Sequence, residues 1–415
     1  MTVDAWTATD GGSLLAAVVL LPFVGMLLGL PLGGRWLRRV ALGMMPPGLV
    51  LALAIAAQWA DAERPLVYLL GGWAPPLGIA LRADGAAVAM LVAVAGVVCA
   101  IGVFARADFG LAPGAAESRS SFSYWLLLLA VWGALNLVFV SGDLFTLYVA
   151  LELLTFAGVP LVCLAGTGET LRAALRYMLF AICGSVLYLL GAVLLYGGYG
   201  TLDIPLLAAA VRPEPIAWIS LGLMTAGLLA KTALFPLHIW LPPAHGGAPA
   251  AASAVLSALV IKGSWFLVLR LWFDAMPGIV TPSAAQLLAG LGAAAIVVGS
   301  IVALRQKRLK LLVAYSTMAQ IGYLFLMFPL AFEGGKLVQG AAMNAGVLQA
   351  IAHATAKAGM FMSAGLVYAA LGHDRLAELA GAARALPVTL LAFAVSGLAL
   401  MGVVPSGAYL AKKML

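Results

Sequence analysis

The chain has 415 residues, of which 64% are hydrophobic and only 9% charged. Soluble domains carry roughly 25% charged residues, and no soluble fold buries this much apolar surface, so a water-soluble enzyme or binding module is excluded. The net charge of +7 does not indicate nucleic acid, because the Lys and Arg residues sit in short runs between apolar stretches, as in cytoplasmic loops of membrane proteins.

Residues 1–12 carry Asp4 and Asp10 and no positive charge. They lack the basic segment of a cleaved signal peptide, so the first apolar stretch is expected to be a retained span. About 20 apolar residues cross a bilayer as a helix. On that measure the sequence predicts twelve spans, at 13–33, 37–59, 84–105, 122–141, 143–165, 170–198, 215–241, 249–273, 284–304, 309–330, 338–371 and 386–414. Between the second and third, Leu66 to Leu70, Gly71-Gly72 and Leu77 to Leu81 predict a short hairpin at the membrane surface. With the N-terminus outside, the inner loops hold 13 basic residues and the outer loops 5, Arg270 among the latter. The positive-inside rule therefore predicts an N-terminus outside, in the cell inner (cytoplasmic) membrane. Cys99, Cys163 and Cys183 each lie in an apolar stretch, lack metal-ligand spacing, and read as small buried hydrophobes. The whole chain, 1–415, reads as one polytopic membrane domain.

Fifteen of the sixteen acids fall in loops or at span ends; Glu152 is the exception, in the fifth span. A carboxylate in mid-membrane costs at least ~2.5 kcal/mol, so it is expected to face the bundle interior and a partner. The plain alternative is an inert packing carboxyl. Lys231 lies mid-membrane in the seventh span, five residues before Pro236. Proline removes a backbone donor and frees carbonyls for water or side chains, which makes Lys231 a candidate proton carrier; the alternative is a lysine snorkelling to the interface. His238 follows Pro236 and can relay protons. His245, seven residues on, reads as a helix-cap or loop residue, and the pair suits no common metal site.

Lys262 sits in the middle of the eighth span, with no loop in reach. Lys310 precedes the tenth span and reads as a solvated loop charge. His353 and Lys357, four apart, share one face of the eleventh span. Lys412 and Lys413 follow Pro405 in the last span, one expected buried and the other at the surface. Two spans thus contain breaking prolines, Pro236 and Pro405, each with a lysine nearby. Interrupted helices at matching positions point to inverted repeats, here about 122–273 and 284–415. No Gly-rich phosphate loop, cysteine cluster or nucleophile constellation is present, so no cofactor, no metal and no catalytic residue is expected.

These residues resemble those of the antiporter-like, proton-translocating subunits of respiratory complex I, a family shared with Mrp-type sodium/proton antiporters and membrane-bound hydrogenases. The strongest block runs from Lys231 to Arg270 and includes Phe235-Pro236-Leu237-His238-Ile239-Trp240-Leu241-Pro242 and Lys262. The segments Asp143 to Leu154, Leu311 to Ser316 and His353 to Phe361 agree with it. The resemblance implies an all-α membrane protein built on two inverted five-helix repeats, with helices 7 and 12 broken, usually within fourteen helices where this chain supplies about twelve. It matches the family's fifth-helix glutamate to Glu152, its seventh-helix lysine to Lys231, its eighth-helix lysine to Lys262, its twelfth-helix lysine to Lys412 and its post-break histidine to His238. The expected function is proton transfer along a central axis of Glu152, Lys231, Lys262, His353, Lys357 and Lys412, inside a complex with other membrane subunits. Two readings stand beside it: a subunit of a Na+/H+ antiporter using the same axis, and a non-transporting membrane scaffold.

Overall fold

The computed structural model describes residues 7–109, 118–338 and 340–414. Among these, eleven helices are long and apolar enough to cross a membrane, and a shorter apolar helix, Pro387–Met401, supplies a twelfth segment. The chain is an all-α, multi-pass membrane protein. Helices satisfy every backbone group inside the segment, which hydrocarbon demands.

In chain order the elements are α1 (Ser13–Leu32), α2 (Gly34–Ala62), β1 (Leu66–Leu69), β2 (Ala80–Ala83), α3 (Gly85–Asp108), α4 (Arg119–Val140), α5 (Leu144–Cys163), α6 (Gly168–Tyr199) and α7 (Ile204–Ala210). Then follow α8 (Pro215–Thr232), α9 (Leu241–Gly247), α10 (Ala250–Val255), α11 (Ile261–Leu269), α12 (Pro282–Leu304), α13 (Leu309–Phe325) and α14 (Met327–Leu330). The rest comprises β3 (Phe332–Glu333), β4 (Lys336–Leu337), α15 (Gly340–Leu371), α16 (Ala382–Ala385), α17 (Pro387–Met401) and α18 (Gly407–Met414).

The surface hairpin forms with its return strand later than expected. Leu66 pairs with Ala83 and Leu69 with Ala80, antiparallel, so the turn spans residues 70–79 and Leu77 lies in it, 84% exposed. The Pro75-Pro76 pair explains the delay, since proline cannot donate to a strand ladder. Helix starts carry short polar caps. Asp84 accepts from Ala87 N–H, Asp143 from Phe145 and Thr146, Asp203 from Leu206, and Thr281 from Ala284. Each satisfies first-turn donors that have no helical partner.

One span lies at the centre. The continuous helical run Ala250–Ala275, comprising α10, α11 and two π-helical turns at Leu256–Val260 and Arg270–Ala275, is buried along its whole apolar window, 100% against 28% for Pro282–Leu304. Around it, α6 and α8 touch backbone to backbone. A Cβ on Gly184 would lie 2.6 Å from the Gly227 carbonyl oxygen, so only glycine permits this crossing. The contact brings Ser185 of α6 and Lys231 of α8 to the same depth as Glu152 of α5.

Candidate functional site

Both proline-marked spans are broken. α8 ends at Thr232, Ala233 takes a left-handed conformation (φ 59°), Phe235-Pro236 is cis, and the helix resumes as α9 at Leu241. Trp240 Nε1–H donates to Ala230 O at 2.9 Å and ties the two halves, while its ring stacks on Tyr177 at 4.2 Å. α17 ends at Met401, Gly402 is left-handed (φ 82°), Val404-Pro405 is cis, and the chain resumes as α18 at Gly407.

Beside the first break lies an ion pair. Lys231 Nζ donates to Glu152 Oε1 at 3.1 Å and to Thr155 Oγ1 at 2.8 Å. Ser185 Oγ donates to the same Glu152 oxygen. The Lys231 side chain is 6% exposed and that of Glu152 21%. Glu152 opens toward an exposed apolar face of α5, where Val149, Leu153 and Phe156 are exposed. A small cavity of about 10 Å³, near the limit for one water, is lined by Thr155, Tyr177, Lys231, Val260 and Ser264. Thr232 Oγ1 bonds Ser264 Oγ at 3.0 Å. The pair on α5 and α8 is therefore joined to the central helix two residues from Lys262.

Lys262 is fully buried. Its Nζ donates to Ser257 O at 2.6 Å and lies 2.5 Å from His353 Nδ1. Ser257 belongs to the π-helical turn just before Lys262. Such turns shift the helical ladder and recur at functional sites. Lys357, one turn beyond His353 on α15 and also fully buried, bonds Val313 O at 3.0 Å and the Ser316 hydroxyl. Toward the second break, Gln349 Nε2 donates to Gln320 Oε1 at 3.3 Å and Gln320 Nε2 to Leu400 O at 3.4 Å. There Lys412 Nζ bonds Met401 O at 3.2 Å, 4.5 Å from the centre of the Tyr323 ring. Lys413 is exposed.

His238 stays in the turn between α8 and α9. It stacks on Phe235 at 5.6 Å, and among the described residues its Nδ1 has no hydrogen-bond partner. Four sequence expectations are corrected. The cysteines are not buried: Cys99 and Cys163 are half-buried and Cys183 is exposed, because apolar helix faces that would meet lipid are as hydrophobic as those that meet the bundle. His245 is not a cap or loop residue: it lies inside α9, fully buried, its carbonyl accepting from Ser253 Oγ at 2.7 Å and its ring against Phe361. Lys310 is not a solvated charge. α13 begins before it, Asp374 accepts from its backbone N–H, and its ammonium turns inward to the Ala248 carbonyl. Arg270 does not lie in an outer loop: it belongs to the end of the central helical run, 11% exposed, clamped by Asp84 and Asp274.

Sequence reasoning misses Thr155, Ser185, Thr232, Ser264, Gln320 and Gln349. Hydroxyl residues are ordinary in membrane helices and give no signal there, but two amides in apolar spans do. Among the described residues no three metal-ligating side chains come together.

Comparison with known proteins agrees with this architecture. The profile of the family described as "NADH:quinone oxidoreductase/Mrp antiporter, TM" matches residues 141–415. NADH-quinone oxidoreductase subunit N of Desulforudis audaxviator is 34% identical over 391 residues, 93% of this chain and 74% of that one. A Na(+)/H(+) antiporter subunit of Alkalihalophilus pseudofirmus is 29% identical over 404 residues, 95% of this chain and 78% of its own length. A chain of the membrane-bound sulfane sulfur reductase, an archaeal respiratory membrane complex, superposes with a TM-score of 0.87 at 26% identity, covering 96% of this chain and 80% of that one. The chain belongs to the family of antiporter-like membrane subunits shared by NADH:quinone oxidoreductases and Mrp antiporters.

Proposed function

We propose that this chain carries protons across the membrane along the Glu152–Lys231–Lys262–His353–Lys357–Lys412 axis, as one subunit of a multisubunit membrane complex. The observation that carries the reading is the Glu152–Lys231 pair, buried on its lysine side and open on its carboxylate side toward an exposed apolar face. A lysine taken out of water is held charged only by a partner. With Glu152 at 3.1 Å the ammonium is held. When a charge change in a neighbouring subunit draws Glu152 away, Lys231 keeps only Thr155, and its proton moves through the Thr232–Ser264 contact toward Lys262 and His353. Gln349 and Gln320 continue the polar line to the second break and Lys412. His238 is assigned to the rim of this path rather than its centre. Energy enters from other subunits.

Sodium fits the same axis less well. A hard cation needs several oxygen ligands, and most of the axis presents amines and imidazole. Of the oxygens that cluster there, those of Glu152 and Thr155 already hold an ammonium, and Ser185 Oγ donates to Glu152. A scaffold would gain nothing from such costly groups.

The two breaks also support the inverted repeats at about 122–273 and 284–415. In each, a left-handed residue is followed three positions later by a proline, Ala233 to Pro236 and Gly402 to Pro405, and then by a short half-helix. The basic-loop asymmetry supports an N-terminus outside, in the cytoplasmic membrane.

Glu152→Gln and Lys231→Ala should each abolish proton pumping by sealed vesicles, read with a ΔpH-sensitive dye, while the complex still assembles. Normal pumping in either variant removes the pair from the mechanism. Transport that requires sodium would favour the antiporter reading.

A further inference from the structure

We propose that the pocket between the α12–α13 turn and the segment after α15 binds the phosphate group of an anionic membrane phospholipid. The cavity holds about 800 Å³. It is a built site. Leu309 N–H donates to Asp374 O at 2.8 Å and Leu376 N–H to Lys307 O at 2.9 Å, which laces the two segments together. Asp374, only 2% exposed, accepts from Arg308 Nε at 2.9 Å and fixes that guanidinium in the wall.

The charge and its availability point to a phosphodiester. Lys307, Arg308 and Arg375 line the pocket against Asp374 and Glu378, one cationic side chain in excess of the acids, and Arg375 pairs with Glu378 at 3.1 Å. A phosphodiester carries one negative charge. Asp374 engages only the Nε of Arg308, and the Nη groups of Arg308 and the Lys307 ammonium make no hydrogen bond among the described residues. These donors suit planar and point recognition of phosphate oxygens.

The apolar surroundings point to a lipid rather than a free ion. On the span leading into the pocket, Ile301 and Leu304 are 48% and 86% exposed, an open lane for an acyl chain. Tyr368 of α15, 48% exposed, lines the pocket at its mouth, the amphipathic residue expected at head-group depth. Basic pockets between transmembrane helices at the membrane edge are recurrent sites for anionic head groups.

The test is native mass spectrometry of the detergent-solubilised full chain, with whatever subunits co-purify, titrated with phosphatidylglycerol or phosphatidylcholine. One phosphatidylglycerol should bind in preference to phosphatidylcholine. Lys307→Gln with Arg375→Gln should weaken it about 20- to 30-fold, each charge near the surface being worth roughly a factor of five. Both side chains are exposed and lie outside the core, so folding is retained. Arg35→Gln with Arg39→Gln removes the same charge from the N-terminal end of α2 and should leave binding unchanged. Equal binding of the two lipids by the unaltered protein, or equal loss in the Arg35/Arg39 control, overturns the proposal. Displacement of the lipid by inorganic phosphate overturns the lipid assignment and identifies a free-phosphate site.

Discussion

Two buried lysines in this chain solve the same physical problem in opposite ways. Lys231 meets the Glu152 carboxylate and the Thr155 hydroxyl, and Ser185 donates to the same carboxylate. Lys262, fully buried in the central helical run, meets a carbonyl and an imidazole and, among the described residues, no carboxylate. A buried charge is tolerated when paired and is otherwise avoided by neutralisation. The first lysine is held beside an anion, which the proposed mechanism moves. The second has only a carbonyl and an imidazole beside it, and on the same proposal it receives the proton. On the proposed reading, this difference is what would send a proton from the first lysine to the second.

The contrast can be broken most directly by removing each lysine's chemistry. Lys231→Met leaves Glu152 without its cation, and stranding one member of a buried pair costs about 3–5 kcal/mol. The partial exposure of Glu152 places the loss toward the lower end. Lys262→Met together with His353→Leu removes both partners of the central contact, and replacing both by apolar groups of similar shape is nearly neutral or stabilising. Both variants should pump at about a hundredth of the normal rate or less, since a positioned proton carrier contributes about 10²–10⁴-fold. Thermal melts in detergent should then move apart, down for Lys231→Met and level or up for the double variant. Equal losses would show that Lys262 sits beside an anion after all.

Arg270 sharpens the comparison from the other side, as a cation with two acids. Its Nη groups reach Asp84, with one contact at 2.8 Å, and Asp274 at 2.7 Å. Asp84 also caps α3, so the cluster pins the start of α3 to the end of the central run. Arg270→Gln should cost about 2–3 kcal/mol, less than a fully buried pair because the acids are partly exposed, and it should lower the melting temperature while pumping by the surviving folded protein stays near normal. A large loss of pumping at unchanged stability would place Arg270 on the proton path.

How much of this is legible in the sequence follows from the same energetics. The spans, and Glu152, Lys231, Lys262, His353 and Lys357, stand out because each ionisable group interrupts an apolar run where it is costly. Their partners do not stand out. Whether Lys231 meets Glu152 depends on the Gly184–Gly227 crossing of α6 and α8, and a hydroxyl such as Ser185 or Thr155 looks the same in any membrane helix. Lys310 and His245 read as a solvated charge and a cap because both lie beside span ends. The fold draws both inward, Lys310 by a long side chain that reaches the Ala248 carbonyl, and His245 by a half-helix that starts again inside the bundle after the break.

The converse of Lys262 is an acid that faces an acid. Asp203, 5% exposed at the start of α7, is bridged backbone to backbone with Asp143. Burial raises its pKa to about 7, and the Asp143 charge adds to this, against the opposing Leu206 N–H and Arg82. In the unfolded chain its pKa is that of a free aspartate, near 3.8. Between these values the folded protein binds the proton that the unfolded chain has released. Stability from this group is therefore complete below about pH 4 and lost as pH rises through about 7. The melting temperature of the solubilised protein should fall by several degrees across that window. Asp203→Asn keeps a carbonyl oxygen to cap Leu206 and removes the titration, so its melting temperature should lose this part of the slope. If the two proteins keep identical slopes, Asp203 is ionised in the fold, and an acid beside an acid is tolerated at the membrane edge in a way that an amine without an acid at the centre is not.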